Sequence, residues 1–111
     1  MNVDIITSFP EIVRAIISES ILNKANQKNI INYKVYNLFK YSDSTDGRID
    51  DYPFGGGEGM ILKPQPIFKV FNEIKSKSNN PEEIRVLFPT PDGKGLDYKL
   101  SSDLAECKHL V

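Results

Sequence analysis

The sequence predicts an α/β domain in which helices flank a parallel β-sheet. Val3, Ile5 and Ile6 form a β-branched run near the start, as expected of a strand. Apolar residues then recur at spacings of three and four, which indicates a helix, and Tyr33 to Phe39 has the composition of a second strand. Strand, helix and strand in this order indicate a βαβ unit with a right-handed crossover. We expect a parallel sheet of roughly three or four strands.

The first helix is predicted to begin at Ser8-Phe9-Pro10-Glu11. Serine followed three residues later by glutamate is the capping-box pattern, and proline is well tolerated in the first turn, where the amides lack helical partners. Asn29 to Asn32 interrupts the helical pattern before the second strand. The helix should turn one apolar face to the sheet, formed by Val13, Ile16, Ile17 and Ile21.

Residues 40–59 are predicted to form a long loop. They contain little apolar periodicity and many turn-forming residues, among them Asp46, Gly47 and Pro53. Loops of about twenty residues are unusual inside a compact domain, and they tend to be either functional or disordered. This loop is therefore the first segment in which to look for a site.

The second half of the chain continues the alternation of helix and strand. Pro64 to Lys77 is predicted to be a helix, with Ile67, Val70, Phe71 and Ile74 on one stripe. The remaining elements are a strand at Ile84–Phe88, a turn at Thr90–Gly93, a short helix at Leu96–Glu106 with Leu100 and Leu104 inward, and the start of a fourth strand at His109–Val111.

The composition is that of an ordinary globular chain, with 111 residues, 40% of them hydrophobic and 26% charged. The length allows one domain, and no apolar run is long enough to cross a bilayer. A formal net charge of -1 provides no general positive field, so any nucleic-acid contact must come from a local patch. With a single cysteine and no signal-peptide pattern, we expect a cytoplasmic protein without disulfides or a membrane partner.

Cys107 and His109 are the only cysteine and the only histidine. A thiol near an imidazole could act as a nucleophile, but the sequence shows no third group that would orient the imidazole. Free cysteine is more often a small core residue, and a single histidine is weak evidence for a metal or a general base. We therefore expect a buried thiol and no metal site.

The strongest local signal is the segment from Asp50 to Met60, with sequence DDYPFGGGEGM. Its glycines allow positive φ angles and close approach of a ligand to the backbone, and successive amides can form an anion-binding nest. The segment matches neither standard phosphate-binding loop. A flexible surface turn is the alternative interpretation. Adjacent aspartates in extended backbone point to opposite sides, so Asp50 and Asp51 are either ligand contacts or simply turn-favouring residues.

A second signal, Phe88-Pro89-Thr90-Pro91-Asp92-Gly93, directly follows a predicted strand. Ligands of parallel α/β sheets bind outside the carboxyl ends of the strands, so this segment could hold a nucleotide-like group. The same residues are also good turn formers, which leaves a purely structural interpretation open.

These pieces, in this order, resemble the bacterial tRNA (guanine-N1)-methyltransferases of the SPOUT class. Ser8 to Glu11 is similar to the opening of that family, and Asp50 to Met60 is similar to its signature loop. Gln65-Pro66 matches the helix entry that follows, and Thr90 to Asp97 resembles the strand-end turn of the family. The likeness spans essentially the whole chain.

The resemblance implies a homodimer that transfers a methyl group from S-adenosylmethionine to N1 of guanine 37 in tRNA. In this family the cofactor binds in a trefoil knot and the active site forms between subunits. By match to the family motifs, the tRNA substrate would be bound by Asp50, Asp51, Gly55, Gly56, Gly57, Gly59 and Met60. By the same match, the cofactor would be bound by Phe88, Pro89, Pro91 and Asp92.

The family places its catalytic aspartate and arginine after the knot, beyond the position of Val111. We therefore expect residues 1–111 to be the N-terminal part of a SPOUT domain, without the knot, the C-terminal tRNA-binding domain or any catalytic residue, and inactive alone. Two other interpretations remain open at this point. The chain could be a non-catalytic module that binds RNA or protein, or a structural remnant with a disordered loop.

Two positions depart from the family pattern. Asp46-Gly47-Arg48 stands where members commonly carry a histidine or a basic run, which affects the expected tRNA contacts. Asp92 stands in place of the usual glutamine. A carboxylate only accepts hydrogen bonds whereas an amide also donates them, so this change should alter recognition of the cofactor.

Overall fold

The computed structural model describes residues 1–111 as a four-stranded parallel sheet with helices on its faces. The elements in chain order are β1 (Asn2–Thr7), α1 (Pro10–Ile17), α2 (Ser20–Gln27), β2 (Asn32–Asn37), β3 (Asp50–Asp51), β4 (Ile61–Leu62), α3 (Pro64–Lys77), β5 (Ile84–Arg85), α4 (Tyr98–Ala105) and β6 (His109–Leu110). Short 3-10 helices occupy Leu38–Tyr41 and Pro81–Glu83.

The main sheet has the order β2-β1-β6-β5, and every pair in it is parallel. β1 and β2 pair over six residues, from Asn2 opposite Asn32 to Thr7 opposite Asn37. β3 and β4 form a separate antiparallel ribbon. The predicted α/β class, the parallel sheet and the fourth strand are thus confirmed. None of the four α-helices combines the length and hydropathy that a transmembrane helix requires.

The first helix differs from its prediction, because two helices replace one. The chain leaves helical geometry between Ile17 and Ser20, and Ser20 has a positive φ of 51°. The predicted capping box is also wrong: Phe9 is the N-cap residue, and its amide donates to Thr7 Oγ1 at 3.0 Å. Pro10 does stand in the first turn, as expected.

The apolar face of this helix pair is only partly covered. Val13 and Ile17 are half-buried, whereas Ile16 and Ile21 are 58% and 74% exposed. The predicted inward face is therefore wrong at two of its four positions. Ile21 follows the break and belongs to α2, and Ile16 lies about 100° around α1 from the half-buried Ile17.

The hydrophobic core lies between α3 and the sheet. It contains Tyr36, Leu38, Ile49, Val70 and Ile74, and Val70 and Ile74 are 0% and 1% exposed. The stripe predicted on this helix is therefore its packed face. Ile49 is an unexpected member, because it comes from the segment predicted to be an unstructured loop. Its carbonyl accepts a hydrogen bond from the Lys63 amide at 2.7 Å, which joins the loop to the start of α3.

The second half keeps the predicted order, with different boundaries. Regular pairing of β5 covers two residues, but the Leu87 amide donates to Val111 O at 2.7 Å, so hydrogen bonding continues beyond it. α4 begins later than predicted because Asp97 caps it, accepting from the Leu100 amide at 2.7 Å. Leu104 is buried, as expected, and Leu100 is half-buried.

A polar cluster joins the 3-10 helix after β2 to α3. The Tyr41 hydroxyl donates to Glu73 Oε2 at 2.7 Å, and Lys77 Nζ donates to Glu73 Oε1 at 2.5 Å. Burial, followed by the hydrogen bond to Glu73, raises the pKa of Tyr41 to about 12. The hydrogen bond from Lys77, followed by that from Tyr41, lowers the pKa of Glu73.

We expect Tyr41 to contribute to alkaline unfolding. A phenol with a raised folded pKa stabilises the fold fully below its unfolded pKa of about 10 and loses that contribution as pH rises towards about 12. Tyr41→Phe should therefore lose less stability than the unchanged chain between these pH values. Urea unfolding followed by circular dichroism across this range measures the difference. Tyr98→Phe, at a position that is 89% exposed, is the matched control, and an identical alkaline loss in all three chains would contradict the prediction.

Candidate functional site

The carboxyl ends of the parallel strands and one side of α3 enclose a hydrophobic cleft of about 550 Å³. Ile5 and Ile6 from β1, Leu110 from β6 and Phe68 and Phe71 from α3 are among its walls. Ligands of parallel α/β sheets bind outside the carboxyl ends of the strands, and this strand-end rule places a ligand at the same edge of the sheet. The cleft is therefore suited to an apolar or aromatic part of a ligand.

Two of the four residues predicted to bind a cofactor line this cleft. Phe88 and Pro89 follow β5 directly and form part of the wall, with Phe88 72% exposed. Pro91 and Asp92 are exposed and lie outside the cleft wall. The chain turns between them, with the Gly93 amide donating to Thr90 O at 3.0 Å. The structure thus brings Phe88 and Pro89 together at the cleft, and the turn separates Pro91 and Asp92 from it.

Asp50 and Asp51 form the short strand β3. Asp50 lies opposite Leu62 and Asp51 opposite Ile61, and the buried Ile49 immediately precedes both. Asp50 is half-buried whereas Asp51 is exposed, which agrees with side chains that alternate along a strand. The Asp51 carboxylate lies 3.7 Å from Lys63 Nζ and accepts a hydrogen bond from the Tyr52 amide at 2.9 Å. The pairing of β3 with β4 therefore fixes the backbone positions of Asp50 and Asp51.

The glycine loop contains Gly55, Gly56, Gly57 and Gly59, and all four have positive φ angles of 91°, 82°, 127° and 90°. Side chains disfavour this conformation, so glycine is required here by the backbone itself. A Cβ at Gly55, Gly56 or Gly59 would meet no atom within 4 Å. The loop is thus open to solvent on these sides, and Met60 at its end is 43% exposed.

A second cleft of about 640 Å³ lies between the β3–β4 ribbon and the start of α3. Phe54 brings its wall to the edge of the glycine loop, and none of the glycines lines it. Leu62 lines both this cleft and the hydrophobic one, so the two clefts meet at β4. Tyr52 and Phe54 also line the second cleft, although the sequence analysis did not single them out. Their position between the paired aspartates and the glycines was the feature of the sequence that could have identified them as site residues.

The segment that departs from the family pattern is held by its own side chains. Arg48 Nε lies 3.0 Å from Asp46 Oδ2, and the Arg48 amide donates to Asp46 Oδ1 at 3.2 Å. The Ser44 hydroxyl also donates to Asp46, and this bond is the main cause of its lowered pKa, ahead of the bond from the Arg48 amide. The charge of Arg48 is therefore engaged within the loop. Gly47 allows the turn, with a φ of 75°.

Cys107 and His109 have separate hydrogen-bond partners. The Cys107 thiol is half-buried and donates to Asp103 O at 3.6 Å. His109 Nε2 lies 2.7 Å from Asp4 Oδ2. No group of three or more histidine, cysteine, aspartate or glutamate side chains is arranged to hold a metal ion. These hydrogen bonds give the thiol no pairing with the imidazole, and the expected buried thiol is half-buried instead.

The sequence model of the family described as tRNA (guanine-1)-methyltransferase TrmD matches residues 1–111. The tRNA (guanine-N(1)-)-methyltransferases of Staphylococcus epidermidis and Bacillus subtilis are 40% and 38% identical to this chain over 111 residues. The chain spans 44% and 45% of the lengths of these two relatives, so a little under half of each is matched.

The fold of the whole chain is also found among solved structures. The crystal structure of tRNA (m1G37) methyltransferase from Aquifex aeolicus aligns with a TM-score of 0.83 and 25% sequence identity. It covers 100% of this chain, which in turn covers 48% of that protein. The relatives found by sequence and the solved structure are therefore all named as tRNA methyltransferases.

Proposed function

This chain belongs to the tRNA (guanine-1)-methyltransferase family, as its sequence resemblance predicted, and from this premise we propose that it is part of an enzyme that methylates tRNA. The proposed reaction transfers a methyl group from S-adenosylmethionine to N1 of guanosine 37. The observation that carries the proposal is the meeting of two different clefts at Leu62. One is hydrophobic and lies at the strand ends, and the other lies beside the glycine loop.

The hydrophobic cleft is the proposed cofactor site. Its apolar wall fits the adenine ring and the aliphatic chain of S-adenosylmethionine, with Phe88 and Pro89 against these groups. When bound, this cofactor supplies the methyl group from its sulfonium. Pro91 and Asp92 would border the site from the turn, where the Asp92 carboxylate can accept a hydrogen bond from an amino group but donate none. This explains why the change from glutamine should matter.

The glycine loop is the proposed substrate site. A flat base or a phosphate can approach the backbone closely at Gly55, Gly56 and Gly59, where a Cβ would meet nothing within 4 Å. At Gly57 the Pro53 side chain would lie 3.8 Å from a Cβ, so this glycine and Met60 would bind the substrate from the closed side of the loop. The exposed Asp51 carboxylate can accept hydrogen bonds from the N–H groups of guanine. The Asp50 side chain points to the opposite side of β3 and would contact another part of the nucleotide. These residues bind and orient the base in the proposal.

Methylation at N1 also requires removal of the N1 proton and a counter-charge for the developing charge on O6. We propose that the base and the cation come from parts of the protein outside residues 1–111, as the family resemblance implies. Residues 1–111 are then the N-terminal part of the SPOUT domain, with the knot and the C-terminal tRNA-binding domain contributed by other parts of the protein. The role of this chain is to position the two substrates.

The proposed partners are tRNA and a second copy of the protein, in the cytoplasm. β5 lies at an edge of the main sheet, and Val86, Leu87 and Phe88 beside it are 55%, 42% and 72% exposed. An apolar edge of this kind is suited to further pairing or packing. This edge supports an association, and the family resemblance suggests a homodimer.

The proposal predicts 1-methylguanosine formation by the whole protein that contains this chain. Purified protein, S-adenosylmethionine and unmodified tRNA would be incubated, and the digested nucleosides analysed by mass spectrometry. A tRNA with adenosine at position 37 should remain unmodified, and residues 1–111 alone should give no product. Absence of 1-methylguanosine with the whole protein would contradict the proposed function. Product formed by residues 1–111 alone would contradict the external origin of the catalytic groups.

A further inference from the structure

Two aromatic side chains in the cleft beside the glycine loop have no structural role in the fold. Tyr52 is 73% exposed and Phe54 is 108% exposed, although both line the same cleft. The Tyr52 hydroxyl forms no hydrogen bond, and neither residue belongs to the hydrophobic core. Exposed aromatic rings lose the free energy that burial would provide, so two of them at one cleft indicate a surface that a partner covers.

The other walls of this cleft are rich in hydrogen-bond acceptors. Asp43, Ser44, Asp51 and Gln65 all line it. Asp43 is paired with Lys69 and Asp51 with Lys63, but the two carboxylates are 55% and 68% exposed and therefore keep free acceptor sites. A partner that fits must therefore present a flat, polarisable face to the rings and N–H donors at its rim. Unpaired nucleobases have both features, because each has a π face and guanine also carries two kinds of N–H at its pairing edge. An apolar peptide would offer no donor to the acceptor sites that these carboxylates keep free.

Building on the proposed function, we propose that Tyr52 and Phe54 stack against an unpaired base of the bound RNA in this cleft. The bare backbone at Gly55 and Gly56 directly follows Phe54 in sequence and leaves room for the sugar and phosphate of that nucleotide. The Asp51 carboxylate accepts a hydrogen bond from the edge of the base. Lys63 Nζ lies 3.7 Å from the Asp51 carboxylate and helps to orient it.

The test measures binding of the whole protein that contains this chain to an RNA hairpin whose unpaired loop carries guanine. Fluorescence anisotropy of labelled RNA gives the Kd for the unchanged protein, Phe54→Leu and Tyr52→Leu. A second hairpin lacks only the loop base, as an abasic site. Base stacking on one aromatic ring changes affinity by about 5- to 100-fold, so Phe54→Leu should weaken binding to the intact hairpin by that factor. It should change binding to the abasic hairpin by less than about twofold.

Tyr98→Leu is the matched control, since Tyr98 is 89% exposed and lies at the start of α4, outside this cleft. It should leave both affinities unchanged. Thermal unfolding should also be the same for all variants, because the replaced rings are exposed. This separates loss of stacking from loss of folding.

Each possible result has a definite meaning. Equal weakening by Phe54→Leu on both hairpins, or no weakening on either, would overturn the stacking inference and leave the proposed function standing. Failure of the unchanged whole protein to bind any hairpin would overturn both the inference and the RNA contact on which it rests. Self-association of the chain that Phe54→Leu abolishes, with RNA affinity unchanged, would assign these rings to a protein contact and overturn the inference.

Discussion

Replacing Ile74 by alanine is expected to lower the free energy of unfolding by about 2–5 kcal/mol. Ile74 is 1% exposed and packs in the core cluster with Val70, Tyr36 and Leu38. Its removal loses the transfer free energy of three carbon atoms and leaves a cavity that the neighbours fill only in part. Only six hydrophobic residues in the chain are buried, so each of them contributes a large part of the free energy gained by burial. The total stability of a small domain is about 5–15 kcal/mol, and the loss is therefore a large share of it.

Urea unfolding followed by circular dichroism measures this loss, and the thermal midpoint should fall by roughly 10–20 °C. Ile12→Ala makes the same chemical change on α1, where Ile12 is 61% exposed. This control should change the free energy of unfolding by no more than about 0.5 kcal/mol. Equal effects of the two substitutions would show that α3 does not form the core as described.

Much of the fold could be predicted because its signals are local. The stripe on α3 and the β-branched run of β1 are visible within a few residues, and the alternation of strand and helix then fixes a parallel sheet. The break between α1 and α2 had no such signal. Ser20 adopts a positive φ of 51° without a glycine or proline nearby, so tertiary packing must determine it.

Ile49 shows why the long loop was misjudged. It is a single apolar residue among polar ones, and one residue has no periodicity to detect. Its burial at 4% exposure depends on contacts with α3 and β2, which lie far away in sequence. The loop therefore gained a short ribbon and a fixed anchor that composition could not indicate. This anchor also sets the position of Asp50 and Asp51.

The candidate site was predicted in part for similar reasons. The strand-end rule correctly located Phe88 and Pro89 at the cleft, but it could not foresee the turn that separates Pro91 and Asp92 from it. The glycines were identified by their motif, and their positive φ angles give the physical reason for it. Tyr52 and Phe54 were missed because an exposed aromatic residue cannot be distinguished from a buried one in a single sequence. Their roles at the site remain predictions.

The contact between Asp4 and His109 could not be predicted at all, because 105 residues separate the two side chains in sequence. The side chains are 11% and 12% exposed, and Asp4 Oδ2 lies 2.7 Å from His109 Nε2. β1 and β6 pair over only two residues, so this side-chain contact is a substantial part of what holds β6 in the sheet. Replacing one partner would leave the other nearly buried without a hydrogen bond, which is strongly unfavourable.

We therefore expect His109→Leu to lower the free energy of unfolding by about 2–4 kcal/mol, because it keeps the volume and leaves the Asp4 carboxylate unpaired. Adding Asp4→Leu should restore most of this loss, since an apolar pair needs no hydrogen bond. Urea unfolding of the two single variants and the double variant measures the coupling. Lys108→Met removes the neighbouring exposed contact with Glu83, at 2.9 Å, and should cost no more than about 1 kcal/mol. A His109→Leu effect as small as this control, or a double variant no more stable than His109→Leu, would mean that the buried contact does not stabilise the junction of β1 and β6.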